Sequence, residues 1–542
     1  MNFPRSSCVA VAVSPLLLCQ ITSGDDPVTI DGVFNEWTEE HLYWDDGVDS
    51  GLEDADFLTL SLRDDPNHLQ MRIDFRNDFD LSENNDVILL IDTDGNPSTG
   101  LQTEGIGAEL RFVFGDREGR FYTSTTNNQN QGEQIWHSDL YLQGAPTVTS
   151  TSFEVSIDRD RIIDGEPVFP GNLIRIVIME QNGDRMPDQG AISFQFDQKK
   201  PPTDLDLDFE REMPDDVRLL SWNVLNDSMT DNQDEPRFRR IIQSLSPDVI
   251  NFQEIYDRSS AQVMNQVKDW IDPAPGDTWH HAGNNDCKTV SRFPVLHSEP
   301  LGGNLVVLLD TTKKLERTLL VINAHTPCCS NDSGRQWEID QMMSFIGRVR
   351  KGNHQDIPAD CAVEITGDMN LVGLAQQLES LIDGNIINES EFGTDVQPDV
   401  DGSNLLDVMP THTGQRMSYT WRNDNSGFWP GRLDFTVISD SVLEVGRSFA
   451  VETRAMTSQR LQSLGLNSAD SSASDHLALV CDVRPPSDTT VSADLDGDGF
   501  VNGSDLGLLF IAWNSSNPAA DLDGDGIVGG GDIGVMLLAW TG

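Results

Sequence analysis

Between residues 57 and 182, polar and apolar positions alternate in short runs. FLTLSLRDD (57–65), HLQMRIDFRND (68–78), DVILLIDTD (86–94), ELRFVFGDREGRFYTST (109–125), SFEVSIDRDRI (152–162) and NLIRIVIMEQN (172–182) are separated by Asp, Asn, Gly and Pro turns. Alternation with period two predicts half-buried strands, and strands at this spacing predict an antiparallel β-sandwich. From residue 217 the pattern changes to apolar strands interleaved with helical stretches. VRLLSWNVL (217–225), PDVINFQEI (247–255), NLVVLLD (304–310), TLLVINAH (318–325), CAVEITGDMN (361–370), RLDFTVISD (432–440) and HLALV (476–480) read as strands, and EPRFRRIIQSL (235–245) as a helix. This is an α/β pattern. The last stretch repeats itself: DLDGDGFVNGSDLGLLFIAW (494–513) recurs as DLDGDGIVGGGDIGVMLLAW (521–540), a period of 27 residues.

Two Pro-rich stretches separate these patterns: the acidic QKKPPTDLDLDFEREMPDD (198–216) and a Pro/Ser/Thr-rich run over 485–493. The expected organisation is multidomain: a sandwich over 25–197, an α/β domain over 217–484 and a small α calcium-loop repeat over 494–542. Residues 1–24 carry one Arg followed by an apolar run from about Val9 to Leu18, the shape of a signal peptide and too short to span a bilayer. No later segment is long and apolar enough to cross a membrane. The chain is therefore expected to be secreted or attached at the cell surface.

The formal net charge is −53 over 542 residues. Such a field repels polyanions, so a nucleic-acid role requires divalent cations or a local basic patch. Five cysteines follow the signal-like segment: Cys287, Cys328, Cys329, Cys361 and Cys481. An odd number leaves at least one thiol unpaired within the chain, and spacing alone does not fix a pairing. No CxxC spacing points to zinc.

Polar residues fall repeatedly at the strand ends of the α/β segment: Asn223, Glu254, His325, Asp368 with Asn370, and Asp475 with His476. Asp434 stands within its strand, two residues after Arg432. Sheets of this class place their ligand sites at strand termini, so these residues are expected to converge on one cleft. SWNVL, FQEI, VINAH, GDMN, RLDF and SDH, in that order, resemble the endonuclease/exonuclease/phosphatase superfamily, which includes pancreatic deoxyribonuclease, bacterial sphingomyelinases and inositol polyphosphate phosphatases. SRFPVL (291–296) and SYTW (418–421) are similar to further landmarks of that family.

The resemblance implies a four-layer α/β sandwich and metal-dependent hydrolysis of a phosphate ester. It implies Mg²⁺, or Mn²⁺ or Ca²⁺ in its place, held by Glu254 with Asn223 and Asp475 as further candidates. It casts Asp368 as the group that activates or orients water, Asn370 on a phosphate oxygen and His476 polarised by Asp434. His325 is then the remaining acid, and which His does what stays open. A His at 325, where abasic endonucleases carry Tyr, points toward the deoxyribonuclease and sphingomyelinase branches. Arg335, Arg422 and Arg432 are candidates for a local positive patch, and Trp421 for stacking on a base or sugar.

In the tail each repeat begins D-x-D-G-D-G and has Asp at the twelfth place, which is calcium-loop chemistry. The ligands are expected to be Asp494, Asp496, Asp498, Asn502 and Asp505, and Asp521, Asp523, Asp525 and Asp532. A helix follows each loop and none precedes it, as in dockerin domains. That resemblance implies a cohesin-like or other cell-surface partner. In the first segment VTIDGVFNEWTE (28–39) and LLIDTDGNPSTG (89–100) with GIGAEL (105–110) resemble family 9 carbohydrate-binding and DOMON-type sandwiches, which implies a carbohydrate ligand. Asp92 and Asp94, in an Asp-Gly turn, are either calcium ligands or turn formers. Trp37 and Trp44 read more readily as core than as sugar platforms. The leading expectation is a secreted phosphodiesterase acting on DNA or RNA. The alternatives are a sphingomyelinase-like enzyme, an inositol or sugar phosphate phosphatase, and a catalytically silent adhesion or scaffold protein.

Overall fold

The computed structural model describes residues 27–48, 55–181, 183–197, 205, 207–271, 278–486, 493–497, 499–517, 519–522 and 527–541. The apolar N-terminal run and Asp498, Asp523 and Asp525 lie outside them.

The alternating segment forms two main sheets and two further two-stranded ladders, with all strands paired antiparallel. One runs in the order Leu42–Asp45, Phe57–Asp64, His68–Phe79, Ser150–Asp158, Gln143–Ala145. The other runs Arg185–Met186, Leu173–Glu180, Val87–Asp92, Leu110–Val113, Glu118–Phe121, Glu133–Trp136, with Ile192–Gln195 also on Leu173–Glu180. Alternate residues such as Met71, Ile73, Leu89, Ile91, Phe112 and Val155 point inward and form one core. The expected strand over 109–125 is in fact two, because Arg117 turns the chain at φ +57°.

The α/β segment builds two further sheets. The first is ordered His280–Asn284, Cys287–Ser291, Val249–Gln253, Val217–Asn223, Ala478–Arg484, Glu444–Val451, Thr411–His412. The second is ordered Val295–Leu301, Asn304–Leu309, Leu319–His325, Ala362–Asp368, Asp434–Ile438, Leu406–Asp407. Period two sorts each strand's side chains into layers. Val217, Leu219 and Val249 meet Leu305, Val307 and Val321 between the sheets. Leu220, Trp222, Ile250 and Phe252 face Phe238, Ile241 and Ile242 of helix Glu235–Leu245 on one outer side. Leu320, Ile322, Val363 and Ile365 face Ile339, Met343 and Ile346 of helix Asp332–Arg350 on the other. The result is a four-layer sandwich in which Asn223, His325 and Asp368 each end a strand.

Residues 26–485 form one compact unit. Ile30 bridges Met417 in parallel, and Val28, Ile30 and Trp37 join Met417, Tyr419 and Leu477 in a shared apolar cluster. In return Trp429 buries itself in the core of the N-terminal sandwich. Trp37 is thus interfacial core and gives its Nε1 hydrogen to Glu154 Oε1 at 2.7 Å. Trp44 packs on the sandwich core and donates to Asp46. The second half of the acidic stretch read as a linker is docked: Phe209 is buried with Phe449, and its carbonyl receives Arg218 Nη1 at 2.7 Å.

The tail forms a unit of its own, with helices Gly503–Ile511 and Gly530–Leu538 around Val501, Leu509, Leu522, Val528 and Met536. Asp505 and Asp532 are fully buried and accept the backbone N–H groups of Asn502 and Gly529 at the helix starts. Asn502 itself accepts from Ser504 N. Asp494, Asp496 and Asp505 bring carboxylate oxygens within 4.8 Å of one another. All five cysteines downstream of the N-terminal run are free thiols; Cys287, Cys361 and Cys481 are buried, Cys328 and Cys329 exposed.

Candidate active site

Strand Val217–Asn223 runs parallel to Val249–Gln253, and Leu319–His325 runs parallel to Ala362–Asp368. Parallel pairing brings like ends together within each sheet, and the packing of one sheet on the other puts Asn223, Glu254, His325 and Asp368 at one mouth. Two backbone features tighten it. Gly367 has φ +138°, and a Cβ there would sit 1.9 Å from Ala324 O, so only glycine lets the strands bearing His325 and Asp368 approach. Glu254 itself has φ +63°, a left-handed conformation costing a glutamate about 1–3 kcal/mol. Its neighbours hold it there. Asp286 Oδ2 accepts Glu254 N at 3.2 Å, Glu254 O accepts Asp227 N at 2.9 Å, and Glu254 Oε2 accepts Asn226 N at 2.7 Å.

Asp368 Oδ2 is the hub. It accepts Asn223 Nδ2 at 2.9 Å and lies 3.5 Å from His476 Nε2 and 3.7 Å from His325 Nε2. Asn223 Nδ2 also donates to Glu254 Oε1 at 3.0 Å, and His325 Nε2 stands 3.9 Å from that oxygen. Each imidazole is backed by a carboxylate on its Nδ1: Asp434 Oδ2 at 2.7 Å from His476 and Asp286 Oδ2 at 2.6 Å from His325. Asn370 donates its backbone N–H to Asp368 Oδ1 at 3.0 Å and its amide to Thr326 O at 3.0 Å. His476 is held from behind, since its carbonyl accepts Trp222 Nε1 at 2.9 Å.

These carboxylates decide the charge of the imidazoles. Burial works to lower the pKa of His325, but the hydrogen bond to Asp286 and the charges of Asp368, Asp286 and Glu254 outweigh it and raise it to about 9. For His476 burial is outweighed by Asp434, Asp368 and Asp475, which raise it to about 10. Burial pushes Asp368 up, against the opposing charge of His476. In the metal-free site both imidazoles therefore hold a proton at neutral pH.

The structure brings together Asn223, Glu254, His325, Asp368, Asn370, Asp434 and His476. It treats other expected residues differently. Asn223 donates from its amide nitrogen to Glu254 and Asp368, which orients both carboxylates, while its Oδ1 accepts Leu225 N. Asp475 Oδ2 accepts Trp421 Nε1 at 3.1 Å and stands outside the Glu254–His325–Asp368 group. Trp421, half-buried, pairs its backbone with His476. Arg335 is no substrate contact. It is fully buried, with its guanidinium on Gln377 Oε1 and the carbonyls of Pro327 and Cys329, where it fixes the loop after His325. Arg432 is spent on a two-pronged pair with Asp407 and is 8% exposed. Arg422 is likewise paired with Asp424.

Asp286 escaped the sequence reading. It sits in a turn between His280–Asn284 and Cys287–Ser291, where Asp is ordinary, and its partner is 39 positions away. Its replacement gives a direct check. In metal-free Asp286→Asn, the NMR titration of His325 is expected to move from about 9 toward the ordinary imidazole value. The raised pKa adds stability that is complete below about 6.5 and is lost as pH rises through about 9; the variant should lack that loss. An unmoved titration would show that Asp286 does not set the charge of His325.

Residues 220–476 match the model of the endonuclease/exonuclease/phosphatase family. All residues of the cluster lie inside the match, and Asp434, read from the sequence as standing within its strand, is the first residue of strand Asp434–Ile438. The matched region is an enzyme domain of that family, whose members are metal-dependent hydrolases of phosphoric esters. Among solved structures the chain is similar to ANGEL2, a 2′,3′-cyclic phosphatase, at 19% identity and TM-score 0.32, covering 50% of this chain and 95% of that one. It is similar to D. rerio TDP2 complexed with single strand DNA product at 15% identity and TM-score 0.31, covering 50% and 99%. It is also similar to beta toxin from Staphylococcus aureus with bound magnesium ions, at 18% identity and TM-score 0.29, covering 49% and 99%. At these scores the three likenesses add nothing to the family match and the site geometry. No curated protein matches the chain.

Proposed function

We propose that the chain is an extracellular, metal-dependent phosphodiesterase that cleaves nucleic acid. The observation that carries the reading is the hub at Asp368, where two carboxylate-backed imidazoles and Glu254 surround one carboxylate oxygen. The donor set fits a hard divalent cation: Glu254 and Asp368 offer carboxylate oxygens and Asn223 fixes both. Glu254 with Asp368 would hold Mg²⁺, which when bound supplies charge neutralisation of the phosphate. Protonated His476, steadied by Asp434, holds a hydrogen at Nε2 for a phosphate oxygen. His325, steadied by Asp286, holds a second at Nε2 for the other side of the group. Asp368 orients water between them.

A polynucleotide is favoured by the aromatic edges of the site. Tyr256, two residues after Glu254, is 55% exposed, and Trp421 lies beside His476. Such rings stack on bases, and because the paired Arg335, Arg422 and Arg432 build no basic groove, divalent cations offset the phosphate charge. Export rests on the apolar run near the N-terminus and on the acidic composition. In the same reading the tail attaches the enzyme to a surface partner and the first sandwich binds carbohydrate, both from their sequence motifs.

The test is an assay of the purified full chain with Mg²⁺, Mn²⁺ or Ca²⁺ on plasmid DNA, RNA, sphingomyelin and bis-p-nitrophenyl phosphate. Metal-dependent cleavage of DNA or RNA that disappears in Glu254→Ala is expected. Turnover of sphingomyelin alone would replace the nuclease reading with a lipid one. Equal inertness of wild type and variant on every substrate would remove the catalytic reading altogether.

A further inference from the structure

A second group of carboxylates lies in the N-terminal sandwich and plays no part in the proposed reaction. Asp92 ends strand Val87–Asp92, Asp94 stands in the turn that follows, and Glu109 immediately precedes strand Leu110–Val113, which pairs with it. Each places a carboxylate oxygen within 4.8 Å of the other two. Asp92 is 0% exposed and Glu109 7%.

The hydrogen-bond donors do not satisfy them. Asp92 Oδ2 has Arg175 Nη1 at 3.3 Å, and Glu109 Oε2 has Thr93 N at 2.9 Å. Asp94 accepts Asn96 N at 2.7 Å and Thr99 Oγ1 at 3.0 Å. Asp92 Oδ1 and Glu109 Oε1 are buried and receive no hydrogen bond. The turn is shaped around these oxygens: at Gly100, φ +62°, a Cβ would come within 2.7 Å of Glu109 Oε1.

Three carboxylates against one guanidinium leave net negative charge in a dry place, which needs either protons or a cation. Without a cation, burial and then Asp94 push Asp92 up to about 6 and Glu109 up to about 7.

We propose that Asp92, Asp94 and Glu109 bind one Ca²⁺ ion in the N-terminal sandwich, fastening the Asp-Gly turn to the strand that begins at Leu110. The set contains oxygen alone, which excludes a zinc preference. It is irregular and open on the Asp94 side, which suits calcium's six to eight ligands better than the strict octahedron of magnesium. The sequence marked Asp92 and Asp94; Glu109, 15 residues beyond Asp94, is supplied by the fold.

The test uses the full chain stripped of metal, with Asp505→Asn and Asp532→Asn in every sample so that tail binding does not mask the count. Equilibrium dialysis over roughly 10⁻⁶–10⁻³ M Ca²⁺ is expected to find one ion fewer per chain in Glu109→Gln, and at least about tenfold weaker binding in Asp94→Asn. Ca²⁺ should raise the unfolding temperature of the parent by a few degrees, and that of Glu109→Gln much less. Because Gln removes a repelling charge, the stripped Glu109→Gln protein should unfold no earlier than the stripped parent, and exposed Asp94→Asn serves if it does. Equal ion counts in all three proteins, or an equal response to Mg²⁺, would overturn the assignment.

Discussion

His476→Ala is expected to lower metal-dependent phosphodiester cleavage by about 10²–10⁴-fold, chiefly in kcat, with the metal concentration for half-activity unchanged. The imidazole sits 2.7 Å from Asp434 Oδ2 on one side and 3.5 Å from Asp368 Oδ2 on the other. Its pKa of about 10 in the metal-free site makes it a donor, not a base. Asp434→Asn separates this role from a packing role. It keeps the shape but withdraws the charge that most strongly supports the imidazolium, so the alkaline limb of the pH–rate profile should move to lower pH. Glu254→Gln should behave differently, raising the metal requirement as well as lowering the rate, because it changes an oxygen donor set. A His476→Ala enzyme with near wild-type kcat, or an Asp434→Asn profile that does not move, would remove His476 from the chemistry.

The sandwich strands were legible from alternating positions and the α/β strands from continuous apolar runs, buried along almost their whole length, and the site was legible because its residues end those runs. Asn223, Glu254, His325 and Asp368 needed only the two packed sheets to bring them together. What stayed hidden was everything fixed by pairing across long separations. Gln253 Nε2 donates to Asn323 Oδ1 at 2.8 Å between the sheets, 70 positions apart, and nothing local in FQEI or VINAH marks that contact. Arg335 reads as a free cation on a helix, yet its fork closes on a loop and on Gln377, 42 positions away. A charge reads as available until its partner is known. The same limit concealed the docking of Phe209 and Trp429, whose burial depends on surfaces from other segments.

The largest expected effect on stability comes from the strand that His476 precedes. Asp482→Ala should lower the unfolding free energy of the unit spanning residues 26–485 by about 3–5 kcal/mol, read from denaturant midpoints. Asp482 is 0% exposed and takes both prongs of Arg218, Nε on Oδ1 and Nη2 on Oδ2, each at 2.7 Å. Arg218 is 2% exposed, and its remaining donor serves the carbonyls of Phe209 and Leu245. Removing the carboxylate leaves a guanidinium in the interior with no countercharge, and the cost of that exceeds the attraction lost. The two residues are register partners on the neighbouring strands Val217–Asn223 and Ala478–Arg484, so the penalty falls on the pairing that carries Asn223 and His476 to the cleft. Replacing both, as Arg218→Met with Asp482→Leu, removes the charges together and should recover most of the loss. If the single variant unfolds at the wild-type midpoint, the pair is not what holds this strand; if the double variant is as weak as the single one, the loss is one of shape and not of unpaired charge.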